Sequence, residues 1–206
     1  GSSDDRNDII IRGNSPTGVL WRLEGVDIPS PNHFSTIGTT GGPISMLNVN
    51  NLKNSEFMTG AWASEYGNAL AGVFDLQLRD GNNDSYEHLF QIGVNGFELG
   101  SEGPFKKGGR ASYMFNYRYS TLGVFQLLGI DLGTGTSIPE YQDMTMKLNF
   151  PTKNAGTFSV FGIGGFSSID FELDTSSSNL FSAENEESIF GSRTGVIGAT
   201  HKYFFN

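Results

Sequence analysis

The chain has 206 residues, enough to bury the core of one large or two small domains, and its net charge of -9, with thirteen scattered Lys and Arg, excludes a nucleic-acid partner, which needs clustered cations. With no cysteine there is neither a disulfide framework nor a thiolate metal site. Charged residues at 17%, 28 glycines and 13% aromatics describe many short β-strands rather than a disordered chain, and although no apolar run reaches the length of a membrane helix, membrane strands stay open because each is short and alternating.

The opening residues GSSDD carry no basic-then-apolar signal pattern and read as a tag scar ahead of a truncated start. NDIIIRGN is expected to form a short strand closed by Arg12 and Gly13. After a turn over residues 15–18, VLWRLEGVDI reads as a hairpin turning at Glu24 and Gly25, with Val19, Trp21 and Leu23 on one face and Trp21 packed in a core. Residues 29–43, with three Pro and three Gly, are too punctuated for regular structure. A loop of that length is the best candidate for ligand contact, through Asn32, His33 and Phe34; the plainer reading of His33 is a solvated loop residue. A short helix is expected around residues 48–54, offering Leu47, Leu52 and Phe57 to the core, with the next strand beginning at Glu56 and Phe57.

Residues 60–81 organise the chain. Ala63, Ser64, Glu65 and Tyr66 suit one helical turn, Gly67 and Asn68 tolerate the left-handed backbone that stops it, and Gly72 lets the chain turn again. From Val73 to Arg79 the pattern alternates, with Phe74, Leu76 and Leu78 on a dry face and Val73, Asp75, Gln77 and Arg79 on a wet one. Asp80, Asn82 and Asp84 have the spacing of a calcium loop, but Ser85 stands where glycine is needed and Gln91 where the bidentate Glu belongs, so the segment reads as a polar linker and no metal site is assigned.

From Tyr86 onward the period is two. His88, Phe90, Ile92 and Val94 share a face, Asn95 and Gly96 mark a hairpin, and in ASYMFNYRY and DMTMKLNF the residues Tyr113, Phe115, Tyr117, Met144, Met146 and Leu148 alternate with Asn116, Arg118, Asp143, Thr145 and Lys147. About six strands are expected, the last two being residues 158–171 and 189–205 with no facing assigned. After the first tight hairpin, long connections (121–140 and 172–187) fall at one end of the sheet and short ones (106–109 and 151–156) at the other. That is the loop asymmetry of outer-membrane barrels. No catalytic constellation appears: His33, His88 and His201 lack ligand spacing, no nucleophile motif or phosphate-cradling loop occurs, and no cofactor is implied.

The stretch SEFMTG followed by SEYGNALAGVFDLQLRDG resembles the second half of the plug domain of TonB-dependent outer-membrane receptors, with wording similar to the Bacteroidetes type. The IRG of residues 11–13 and the turn after VLWRL are similar to further plug motifs. Two departures are Thr59, Gly60 and Ala61 where the family often has Arg-Gly-Pro, and Glu24 and Gly25 where it often has Asp-Gly. The resemblance implies a mainly β fold: an N-terminally truncated plug over residues 1–80, a linker over 81–85 and, over 86–206, the first antiparallel strands of a transmembrane β-barrel. It implies that Arg12 and Glu56 make plug–barrel contacts, that Glu65, Tyr66, Gly67, Asn68 and Gly72 form the plug turn motif, and that the intact protein imports a scarce nutrient through the bacterial outer membrane rather than acting as an enzyme. The implied partners are TonB, through a segment outside this chain, outer-membrane lipids, the nutrient, and a surface lipoprotein. The alternative from the residues is a soluble, secreted β-rich binding module with Tyr113, Tyr117 and Tyr119 as a stacking face.

Overall fold

A computed structural model describes residues 9–35, 42, 44–93, 96–120, 139–171 and 188–205. The fold is nearly all β. Strands β1 (Val19–Leu23), β2 (Val26–Ile28), β5 (Leu52–Met58) and β6 (Gly72–Leu78) form a four-stranded sheet in the order β2-β1-β6-β5, and β3 (Asn32–His33) pairs with β4 (Ile44–Ser45). Strands β7 (Glu87–Gly93), β8 (Gly96–Pro104), β9 (Ser112–Tyr119), β10 (Pro139–Pro151), β11 (Thr157–Phe171) and β12 (Ser188–Lys202) form a six-stranded antiparallel meander.

The first sheet is mixed. The hairpin turns at Glu24 (φ 53°) and Gly25 (φ 84°), two left-handed residues in succession, which is the turn whose twist matches a two-residue hairpin. β1 then pairs parallel to β6, Trp21 beside Phe74, and β5 pairs antiparallel to β6 with Phe57 beside Phe74. The Phe74 ring is stacked between Trp21 at 4.3 Å and Phe57 at 4.4 Å, which confirms the expected packing of Trp21. Leu76 and Leu78 are buried as expected of the dry face, but Val73, assigned to the wet face, is buried too.

The meander inverts the burial of a soluble sheet. On its inner face Ser112, Asn116, Asp143, Thr145, Lys147 and Asn149 are buried, while Phe115, Met144, Phe150, Phe158 and Phe166 are exposed on the other. Register fixes this: Tyr113, Phe115 and Tyr117 lie opposite Leu148, Met146 and Met144, and Asn116 and Arg118 opposite Thr145 and Asp143. The alternation read from β9 and β10 is therefore observed, the aromatic and Met residues on the outer face and Asn116, Arg118, Asp143, Thr145 and Lys147 on the inner. Pairing carries it into the strands left unassigned, placing Ser159, Phe161, Ile163 and Gly165 inside and Phe158, Val160 and Phe166 outside. β12 alternates cleanly between more and less exposed residues from Gly191 to Thr200. The first sheet packs on the inner face, where Leu23, Ile28, Met46, Leu76 and Leu78 share one apolar cluster with Met114, Phe161 and Ile163 of the meander.

Several local expectations need correction. The helix over 48–54 is only a 3-10 turn, Val49–Asn51, capped by Asn48 Oδ1 on the Asn50 N–H, and the strand starts at Leu52 because Leu52 pairs with Leu78. Residues 9–11 form no strand; Arg12 (φ 51°) and Gly13 (φ 76°) turn the chain, leaving Ile11 buried against Val19 and Ala71. Residues 63–66 make an isolated turn closed by Tyr66 N–H on Ala63 O, not a helical one. Gly67 is not left-handed; the positive φ in this stretch is at Ala61, 55°. Val94, Asn95, residues 121–138 and 172–187, and residues 36–41 and 43 of the candidate loop lie outside the described residues.

Candidate functional site

The polar residues on the meander's inner face meet polar groups of the first sheet along a buried seam. Lys147 is held between Met114 and Phe161 by the register of β9, β10 and β11, so its stem lies in the apolar cluster while Nζ reaches the other sheet. Nζ donates to Glu24 Oε1 at 2.8 Å, Leu78 O at 2.9 Å and Asp80 Oδ1 at 2.9 Å, and Glu24 Oε1 also accepts the Leu78 N–H at 2.8 Å. Three bonds satisfy the ammonium, whose buried charge would otherwise be untenable, while Glu24 takes all its bonds on Oε1 and its Oε2 is buried without a hydrogen-bond partner among the described residues. Asp80 is shifted in consequence. Partial burial pushes its carboxyl up, but the hydrogen bond and charge of Lys147, with Lys53 3.6 Å away, outweigh it and hold the group below its ordinary value.

A second node lies nearer the end of the meander that carries the long connections. Arg118 grips Asp143 with Nε on Oδ1 at 2.9 Å and an Nη on Oδ2 at 2.7 Å, a bidentate cross-strand pair, and the same Nη donates to Ser45 O at 2.6 Å. His33 Nε2 lies 2.9 Å from Asp143 Oδ2, and both side chains are 1% exposed. Close approach is possible because β11 has Gly165 there: a Cβ on it would stand 2.6 Å from both His33 Cε1 and Met46 Sδ. Phe34 donates its backbone N–H to Ser167 Oγ at 3.2 Å. Beside this node a hollow of about 320 Å³ is lined by Gln91, Glu98, Arg118 and Tyr141, among others.

A third set of contacts joins β8 to the segments that flank β5 and β6 of the first sheet. Glu98 Oε1 accepts Asn48 Nδ2 at 2.6 Å and Asn116 Nδ2 at 2.7 Å, and Glu102 Oε2 accepts Arg79 and the Asn82 N–H. The polarity runs both ways: on β8, Glu98 and Glu102 accept from Asn48, Arg79 and Asn82, on β10 Asp143 meets His33 of β3, and the meander's Lys147 meets carboxylates offered back by Glu24 and Asp80.

The residues expected from sequence distribute around this seam. Asn32 and His33 are buried, and Asn32 Nδ2 donates to Ser30 Oγ at 3.0 Å. His33 is not a solvated loop residue, because the short β3–β4 pair presses it onto the meander. Arg12 donates to Thr59 Oγ1 at 3.4 Å, which makes the two neighbours across 47 residues of chain. Glu56 is exposed and paired with Asp75 across β5 and β6; neither Arg12 nor Glu56 bonds to the meander among the described residues. In the turn motif, Tyr66 donates its hydroxyl to Asp75 Oδ2 at 2.8 Å, a bond that raises the phenol above its ordinary value, and Arg22 lies over the ring and 3.3 Å from Glu65. A Cβ on Gly72 would fall 2.4 Å from Ile11 Cδ1, whereas Gly67 has open space around it and Asn68 is exposed. Sequence reading missed Glu24 and Asp80 as partners, though the alternation had already put Lys147, Asp143 and Arg118 on one inner face.

The seam holds two sheets together, and among the described residues its charged groups bond to one another and to backbone across it. No protein-family model matches the sequence, and no curated protein matches it. Among solved structures, the crystal structure of the siderophore receptor PirA from Acinetobacter baumannii matches over 95% of this chain and 31% of that one, at 16% identity with a TM-score of 0.56. The chain thus has the fold of part of that receptor and spans about a third of its length.

Proposed function

We propose that this chain is part of a TonB-dependent outer-membrane receptor of the Bacteroidetes type, with residues 1–80 as plug, 81–85 as linker and 86–206 as the first barrel strands. The observation that carries the reading is the inverted meander: Lys147 is 2% exposed and salt-bridged inside, while Phe158 at 44%, Phe166 at 53% and Ile197 at 74% look outward. A sheet whose apolar face is bare and whose charged face is covered is solvated by hydrocarbon on the bare side. Dimensions agree. Phe158 and Phe166 are eight residues apart on β11, about 26 Å along a strand at ~3.3 Å per residue, and a tilt of roughly 40° leaves ~20 Å, close to the ~25 Å apolar band of such barrels.

In this reading the seam is the plug–barrel interface, and the nutrient enters from the end with the long connections once TonB acts on the plug. Arg12 and Glu56, both exposed and without a bond to the meander among the described residues, meet the remainder of the wall. A surface lipoprotein is a further partner of the intact receptor. The test is made on the whole gene product. It is expected to fractionate with the outer membrane, to need detergent for extraction, and to support uptake of its nutrient only in cells with a working TonB. A stable, water-soluble monomer without amphiphile would refute the reading in favour of a secreted binding module.

A further inference from the structure

The two short turns of the meander, residues 105–111 and 152–156, contain Lys106, Lys107, Arg110 and Lys153 and no acidic residue, in a chain whose net charge is -9. All four basic residues are exposed, and among the described residues none is in an ion pair. Antiparallel order puts both turns at one end of the sheet, two strands or about 10 Å apart. Rings join them: Phe105 stacks on Phe150 at 5.3 Å and tilts against Tyr113 at 5.7 Å, and Phe158 stacks on His201 at 4.2 Å. Just behind this shelf the outward face has a hydrogen-bonding chain, His88 Nδ1 to Ser101 Oγ at 3.1 Å and Ser101 Oγ to the Tyr113 hydroxyl at 3.2 Å.

The sequence from mid-sheet to turn is therefore aliphatic surface, aromatic shelf with hydroxyls, then free cations. That order matches hydrocarbon, interface and phosphate plane, with Lys and Arg stems long enough to carry their charge past the rings. We propose that this rim docks the headgroup of an anionic phospholipid of the inner leaflet, Lys106, Lys107, Arg110 and Lys153 taking the phosphate and Phe105, Phe150 and Phe158 the acyl and glycerol region. The inference rests on the receptor reading above, in which short turns face the periplasm. Lipopolysaccharide, confined to the opposite leaflet, is the competing occupant.

The full-length receptor, reconstituted in phosphatidylcholine nanodiscs, is titrated with phosphatidylglycerol and its retained lipids are counted by native mass spectrometry. Phosphatidylglycerol is expected to be retained at least roughly fivefold over phosphatidylcholine, the contribution of about one interfacial basic residue, and the preference should shrink in about 0.5 M NaCl. The quadruple variant K106Q/K107Q/R110Q/K153Q should lose it, and K106R/K107R/K153R should keep it. Equal retention of the two lipids, an unchanged preference in the quadruple glutamine variant, or stronger retention of lipopolysaccharide through these four residues would overturn the proposal while leaving the receptor reading intact. A product that never enters the nanodisc overturns both.

Discussion

Lys147 Nζ, on the inner face of β10, donates to Glu24 Oε1 at 2.8 Å across 123 residues of chain, and the two side chains are 2% and 1% exposed. Glu24 sits at the left-handed turn between β1 and β2, so a hairpin signal and a buried carboxylate occupy the same residue. Through it the turn is bonded to the Leu78 N–H at the end of β6 and to Lys147 of the meander at once.

Because a buried pair is costly to break rather than strongly stabilising to make, removing one partner is the informative experiment. Lys147→Met in the full-length protein leaves Glu24 buried without its cation and is expected to lower the stability of the first sheet's docking by about 3–5 kcal/mol. The double variant Glu24→Gln/Lys147→Met should recover part of the loss, since neither charge then remains. Denaturant midpoints in detergent measure both, and an unchanged midpoint for Lys147→Met would show that the pair does not hold the seam.

Asp80 gives the seam a pH dependence with a defined sign. Its folded-state pKa lies below the ordinary 3.8, so the stability it contributes is fully present above that value and is lost as pH falls through the lower folded value. The effect is modest because the side chain is 44% exposed. Release of the first sheet from the meander should therefore become easier below about pH 4. Asp80→Asn should flatten that part of the profile, and a variant with the same acid slope as the parent would remove Asp80 as its source.

Much of the fold was legible because strand period survives tertiary context. The facing of β9 and β10 followed from Tyr113, Phe115 and Tyr117 alternating with Asn116 and Arg118, and the hairpin at Glu24 and Gly25 from turn chemistry alone. What was not legible depends on contacts remote in sequence. His33 resembles a solvated loop residue until Gly165, 132 positions away, makes room for it against the wall. Asp80 resembles a linker residue until Lys147 arrives. The polar inner face was itself the missed signal: Arg118 and Asp143 can pair with each other across the strands, but a buried Lys147 on the same face requires a carboxylate on whatever covers it.

Backbone conformation separates Ala61 from Gly67. Ala61 holds φ 55°, which costs a residue with a Cβ about 1 kcal/mol or more, so Ala61→Gly is expected to raise stability by about that amount. Gly67 has no positive φ, and an added Cβ there meets nothing within 4 Å, so Gly67→Val should stay within about 0.5 kcal/mol of the parent. Thermal unfolding of the two variants measures this, and a large loss at Gly67 with no gain at Ala61 would mean the turn adopts a different backbone.

The 206-residue chain on its own should not remain a monomer in plain buffer. In the meander β7 and β12 are the outermost strands, each paired on one side only among the described residues, so both present backbone donors and acceptors to any neighbouring chain. The outward face adds to the problem: Phe90 is 68% exposed and Ile92 73% on β7, Phe166 53% on β11 and Ile197 74% on β12, large apolar side chains bared from one edge of the sheet to the other. The buried ion pairs cannot compensate, because they hold the first sheet to the inner face and leave edges and outer face untouched. Detergent covers the outer face, and further strands would cover the edges, so the chain is expected to aggregate in buffer and to become dispersed when micelles are supplied. Sedimentation velocity with and without detergent decides between the outcomes. A folded monomer in buffer that keeps the β9–β10 register, with Tyr113 opposite Leu148, would require a different account of why the apolar residues of this meander face outward.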